Sequence, residues 1–140
     1  MTDRPIIVHS LEDARAAVAV AADLGCRVTL RSAPGAAAYL GPQVFRDMIE
    51  EASLEHAGTL VQAVFDCADD PGLALGALRQ GLKVVRIDAP AEIVEKITDI
   101  AAQTGARVEA PGQEGAPSEP LDLLDRDDAQ AAIRIWLTED

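Results

Sequence analysis

The stretch Leu60–Pro90, LVQAVFDCADDPGLALGALRQGLKVVRIDAP, decides the fold class. LVQAVF is an apolar run of strand length. Asp70-Pro71 then reads as a helix N-cap followed by proline at the first helical position. Leu75 and Leu78 give a short helix an apolar face, Gly81 closes it, and LKVVRI follows as a second strand. Two strands joined through a helix run parallel, with a right-handed crossover.

The alternation extends in both directions. Downstream, a helix from Pro90 carries Ile93, Val94, Ile97, Ile100 and Ala101 as an apolar stripe, and ARVEA is a weaker strand. Upstream, PIIVH is a first strand. Ser10 caps a helix with Asp13 three residues on, and Gly25 ends it. CRVTL is the second strand, and a helix after Pro42 places Val44, Met48, Ile49 and Ala52 on one face. The expected architecture is therefore α/β, with five parallel βα units forming either half a barrel or a flavodoxin-like doubly wound sheet. In doubly wound order 2-1-3-4-5, His9 after strand one would meet Asp66 and Cys67 after strand three. In sequential order, strand two stands between them.

Residues 1–140 read as a single α/β domain with a Pro/Gly-rich loop at 111–120 and a C-terminal helix at about 125–138, whose inward residues are Ala129, Ala132, Ile133 and Trp136. The 140 residues are 49% hydrophobic and 26% charged, a globular composition able to bury its own core. Trp136, Tyr39, Phe45 and Phe65 are the only aromatic residues, so aliphatic side chains must fill the interior. Cys26 and Cys67 do not make a disulfide framework, and no basic segment followed by a long apolar one opens the chain, so a cytoplasmic location is expected. The net charge of −12 argues against nucleic-acid partners, and no run approaches the ~20 apolar residues of a membrane span.

Ligands of parallel α/β folds bind at the carboxyl ends of the strands. Those ends carry the candidate ligand-binding residues His9, Ser32, Gly35, Asp66, Cys67 and Asp88. Asp66 is the candidate acid/base if the chain is catalytic. The acids Asp66, Asp69 and Asp70 raise a neighbouring thiol's pKa and so argue against an activated Cys67. Neither a metal nor a cofactor is expected, because no short-spaced ligand motif exists and His56 falls near a helix end away from that edge.

The order of motifs resembles the N-terminal half of a class II fructose-bisphosphate aldolase, a zinc-dependent TIM barrel. VHSLEDARAAVAVAADLGCRVTLRSAPGAAAYLG is similar to that family's first two units, with Ser32, Gly35-Ala36 (one residue beyond the family spacing), Tyr39 and Gly41 in its Ser-x-Gly-Ala and Tyr-x-Gly positions. AVFDCADD resembles its Leu-Asp-His-Gly strand end, GLKVVRIDAP its Met-Ile-Asp-Gly-Ser, and ARVEAPGQEG its Val-Glu-Ala-Glu-x-Gly. The likeness covers roughly residues 7 to 115. It implies that Asp66 stands at the family's acid/base, that Cys67 replaces a zinc-binding histidine, and that Pro111 replaces an acid. A complete barrel takes ~250 residues, so the resemblance implies a truncated barrel with a degraded active site.

The leading expectation is a non-catalytic, aldolase-like half-barrel that binds a small polar ligand or a protein partner. One alternative is a small lyase-like enzyme using Asp66 with His9 or Cys67 nearby. The other is a structural module that forms a homodimer through an apolar patch around Trp136.

Overall fold

The computed structural model describes residues 4–112 and 119–139. Its elements in chain order are β1 (Ile6–Ile7), α1 (Leu11–Leu24), β2 (Val28–Arg31), a 3-10 turn (Ala36–Ala38), α2 (Pro42–Ser53), β3 (Leu60–Asp66), α3 (Pro71–Arg79), β4 (Val84–Arg86), α4 (Ala91–Ala102), β5 (Arg107–Glu109), β6 (Leu121–Asp122) and α5 (Ala129–Thr138). The hydrogen-bonded strand order is β5-β4-β3-β2-β1-β6. The five expected strands are present, and a sixth, β6, follows the Pro/Gly-rich segment. β1 is flanked by β2 and β6, which leaves no side for β3 and rules out the doubly wound order. Of the two orders expected, the sequential one holds.

Two compact units make up the chain. Of the described residues, the first comprises 4–31, 47–63 and 119–139. Here Ile6 and Ile7 pair in parallel with Leu30 and Arg31 on one side and with Leu121 and Asp122 on the other. Helix α1 forms where expected. Ser10 Oγ accepts from Asp13 N–H at 3.1 Å, Glu12 and Asp13 favour the positive end of the helix dipole, and Gly25 ends it at φ 72. Its inner face is small, with Ala14, Ala17, Val18 and Ala21 fully buried. Helix α5 packs on α1, and Arg134 is held to Asp23 at 3.0 Å. α5 begins at Ala129, later than the sequence suggests. Asp128 is its true cap, its carboxylate accepting from Ala131 N–H at 3.0 Å, and Asp125 is left-handed at φ 57. Trp136 is half-buried, with the Arg4 guanidinium 5.5 Å from its ring centre.

The second unit comprises, of the described residues, 32–46 and 64–112. Phe65 and Asp66 of β3 pair with Val85 and Arg86 of β4, and Val84, Val85 and Arg86 pair with Arg107, Val108 and Glu109 of β5. All pairings are parallel, and the strand interiors are buried apolar runs, as covered parallel sheets require. Phe45 of α2 stacks on Phe65 with ring centres 5.2 Å apart. The buried face of α2 is thus led by Phe45, while Val44, expected inside, is 57% exposed. Asp70 caps α3 through Gly72 and Leu73 N–H, as its position before Pro71 predicts. The stripe of α4 is buried at Ile97 and Ala101. Of the loop at 111–120, residues 113–118 lie outside the described residues. No helix among the described residues is long and apolar enough to cross a membrane.

Candidate functional site

Five of the six candidate residues belong to the second unit: Ser32, Gly35, Asp66, Cys67 and Asp88. Asp66 is the hub of a knot at the end of β3. Its Oδ1 accepts from Gly35 N–H and from Ala68 N–H, each at 2.9 Å. Its own N–H donates to Ser32 Oγ at 2.9 Å, and Ser32 N–H donates to Val64 O at 2.9 Å. The loop after β2 is therefore fastened to β3 through the side chains of two candidate residues. Both amides that hold the carboxylate come from left-handed positions. Gly35 has φ 70, which glycine adopts freely. Ala68 has φ 52, a conformation costing an L-residue about 1–2 kcal/mol.

Arg86 and Glu109 complete the cluster. The register places Asp66 opposite Arg86, and Arg86 opposite Glu109, so three strand ends present a row of alternating charge. Arg86 Nη1 donates to Glu109 Oε2 at 2.8 Å, and its Nε stands 3.8 Å from Asp66 Oδ2. The side chains are sheltered, at 9% exposure for Glu109, 16% for Asp66 and 29% for Arg86. Arg86 gives its short bond to Glu109, so the row presents one more carboxylate than guanidinium. Among the described residues, the Arg86 guanidinium is the only recorded neighbour of Asp66 Oδ2, which leaves that oxygen open to a ligand donor.

The other candidates stand differently. Cys67 is fully buried, with Sγ 3.7 Å from Phe65 O. Burial, helped by Asp66 and Asp70, pushes its thiol up to about 12. Asp88 has an exposed side chain, and its N–H donates to Ala68 O at 2.8 Å, bracing the left-handed turn. His9 belongs to the first unit, where its Nε2 is 2.6 Å from Asp122 Oδ1. Arg86, Glu109 and Asp122 were not singled out in the sequence, although the structure makes each of the first two the last residue of its strand.

No family model and no curated protein sequence matches the chain. Solved structures do. A proposed fructose-1,6-biphosphate aldolase from Coccidioides immitis matches with a TM-score of 0.64 and 19% identity, over 78% of this chain and 40% of that one. The chain has an aldolase-like α/β fold. The YdjI aldolase from Escherichia coli K12 matches equally well, at TM-score 0.64 and 16% identity, over 78% of this chain and 44% of the other. The aldolase-like chain thus spans less than half the length of either protein. At these identities the likeness is one of fold, and the chemistry must come from the side chains present.

Zinc, on which the resembled family depends, does not fit these side chains. Zinc needs three or four ligands, with thiols deprotonated. Cys67 is buried and keeps its proton, and among the described residues no three His, Cys, Asp or Glu side chains gather to hold an ion.

Proposed function

We propose that this aldolase-like domain binds a small, uncharged, hydroxyl-bearing ligand at Asp66 without cleaving a carbon–carbon bond. The observation that carries this reading is the Asp66 carboxylate, oriented by two backbone amides and left with one open oxygen beside Arg86. An oriented, sheltered acceptor beside a guanidinium edge suits a hydroxyl group, which donates to one and accepts from the other. Phosphate is disfavoured, because the guanidinium is already shared between two carboxylates and Asp69, Asp70 and Asp88 add negative charge on the following loops. Cys67 has no role in this reading beyond packing.

The test is an NMR titration of the full chain with glycerol, erythritol and dihydroxyacetone, and with their phosphate esters. The neutral compounds should shift the Gly35 and Ala68 amides in the wild type and not in Asp66→Asn. The phosphate esters should bind more weakly. Equal shifts in the two proteins, or preference for the esters, would refute the reading.

A further inference from the structure

A second pair of side chains lies in the first unit, independent of Asp66. His9 follows β1, and its backbone is pinned by Asp13, whose Oδ2 accepts from His9 N–H at 2.9 Å. β6 runs parallel to β1 with Asp122 opposite Ile7, which brings the carboxylate beside the imidazole. Nε2 of His9 and Oδ1 of Asp122 are 2.6 Å apart, across 113 positions of sequence. The same oxygen accepts from Leu124 N–H at 2.9 Å, and Arg126 Nε donates to the Asp122 carbonyl at 3.1 Å. Burial alone would raise the Asp122 carboxyl. The Leu124 amide, the His9 ring and Arg126 outweigh it and hold the group below its ordinary value.

A carboxylate can only accept, so Nε2 carries the shared proton, and in the neutral imidazole Nδ1 then holds the free lone pair. No bond to Nδ1 is recorded among the described residues, and the side chain is 23% exposed, sheltered yet reachable. A helix cap would need only Asp13 and Ser10. An edge strand would need only its backbone bonds. Neither requires an imidazole with its tautomer fixed.

We infer that His9 and Asp122 form a general-base site that activates water against a neutral acyl compound, an uncharged ester being the simplest. Nδ1 takes a proton from water as the water oxygen bonds to the acyl carbon and the carbonyl electron pair moves onto its oxygen. When that pair returns, the bond to the leaving oxygen breaks and the imidazolium gives its proton to that oxygen. Ester and water become acid and alcohol, with no other reactant. His9 is the base; Asp122 is a positioning residue that fixes its tautomer. The carboxylates of Asp13 and Asp122 beside His9 disfavour an anionic substrate.

The test is hydrolysis of p-nitrophenyl acetate by the full chain, compared with His9→Gln, Asp122→Asn, Asp122→Glu and His56→Gln. His9→Gln should lose rate on the order of 10²-fold, the lower end of what a positioned base supplies. Asp122→Asn should lose part of it, Asp122→Glu should recover some, and His56→Gln should keep it all. The wild-type reaction should be slower in D2O than in H2O, as proton transfer requires. A wild-type rate no faster than free imidazole at the same concentration would overturn the inference, as would full activity in His9→Gln or indifference to D2O. Should His9→Gln fail to fold, full activity in Asp122→Asn overturns it equally.

Discussion

Replacing Asp66 tests whether its carboxylate organises the strand-end loop. In Asp66→Ala the Gly35 and Ala68 amides each lose a bond of 2.9 Å to an anion. Such bonds are worth about 1.5–3 kcal/mol each where water cannot replace them. The Ala68 amide belongs to an exposed residue and regains water, whereas Gly35 is half-buried. The expected loss is therefore about 2–3 kcal/mol rather than the sum of two full bonds. Asp66→Asn keeps a carbonyl oxygen for both amides and loses only the charge, so about 1 kcal/mol is expected. Unfolding entropy for 140 residues is about 0.3 kcal/mol per degree, which converts these losses into falls in Tm of about 8 °C and about 3 °C. Circular dichroism melts and urea titrations of both variants measure them. Equal losses in Ala and Asn variants would mean that charge and not the amide bonds matters, and a neutral Asp66→Ala would refute the knot altogether.

Arg86→Met should cost about 2–3 kcal/mol in urea, less than the 3–5 of a fully buried pair because the Arg86 side chain is 29% exposed; a loss under about 0.5 kcal/mol would show the charge row to be idle. Ala68→Gly relieves about 1–2 kcal/mol of left-handed strain and gives back about 0.4–1 through the unfolded chain, so it should leave the protein as stable or more so; a clear fall in the urea midpoint would contradict the φ of 52. With 5,5′-dithiobis(2-nitrobenzoic acid) at pH 8, the half-buried Cys26 should react and Cys67 only on unfolding; prompt reaction of both thiols would contradict its burial. The Cys67 thiol keeps its proton to about 12 when folded and loses it near 9.0 when unfolded, so its contribution to stability is complete below pH 9 and declines from there towards 12. Cys67→Ala should flatten that alkaline decline in urea midpoints measured across the window.

The βα alternation was legible because the strand interiors are mostly apolar and the helix starts at Ser10 and Asp70 carry their caps. Strand order was not, since the runs are apolar on both faces and periodicity is blind to neighbours. Asp66, Ser32 and Gly35 could be singled out in the sequence because each ends a strand run or falls in the turn after one. Arg86 was hidden inside LKVVRI, where a charge in an apolar run looks like the strand's own punctuation. Only the register, Asp66 to Arg86 to Glu109, converts three separate strand ends into one polar row. Val44 was misplaced inside α2 because the stripe through Met48 and Ile49 fits either neighbour. Stacking of Phe45 on Phe65 decides between them.

β6 was missed for a different reason: two residues, Leu121 and Asp122, carry no periodicity at all. Their place is set by backbone partners, Leu121 N–H to Pro5 O at 3.1 Å and Leu123 N–H to Ile7 O at 3.2 Å, which cover an edge of β1. The strand is followed by α5, and full burial of Ile133 alone contributes about 1.5–3 kcal/mol. The length of β6 is thus no measure of how firmly it is held, because the helix after it supplies the free energy that two ladder bonds could not. The same arrangement delivers the Asp122 carboxylate to His9. Deleting β6 would therefore remove an edge cover and the imidazole's partner together, and loss of any activity would say nothing about chemistry. Asp122→Asn separates the two, because the ladder bonds are made by Leu121 and Leu123 while the charge that fixes the His9 tautomer is made by Asp122 alone.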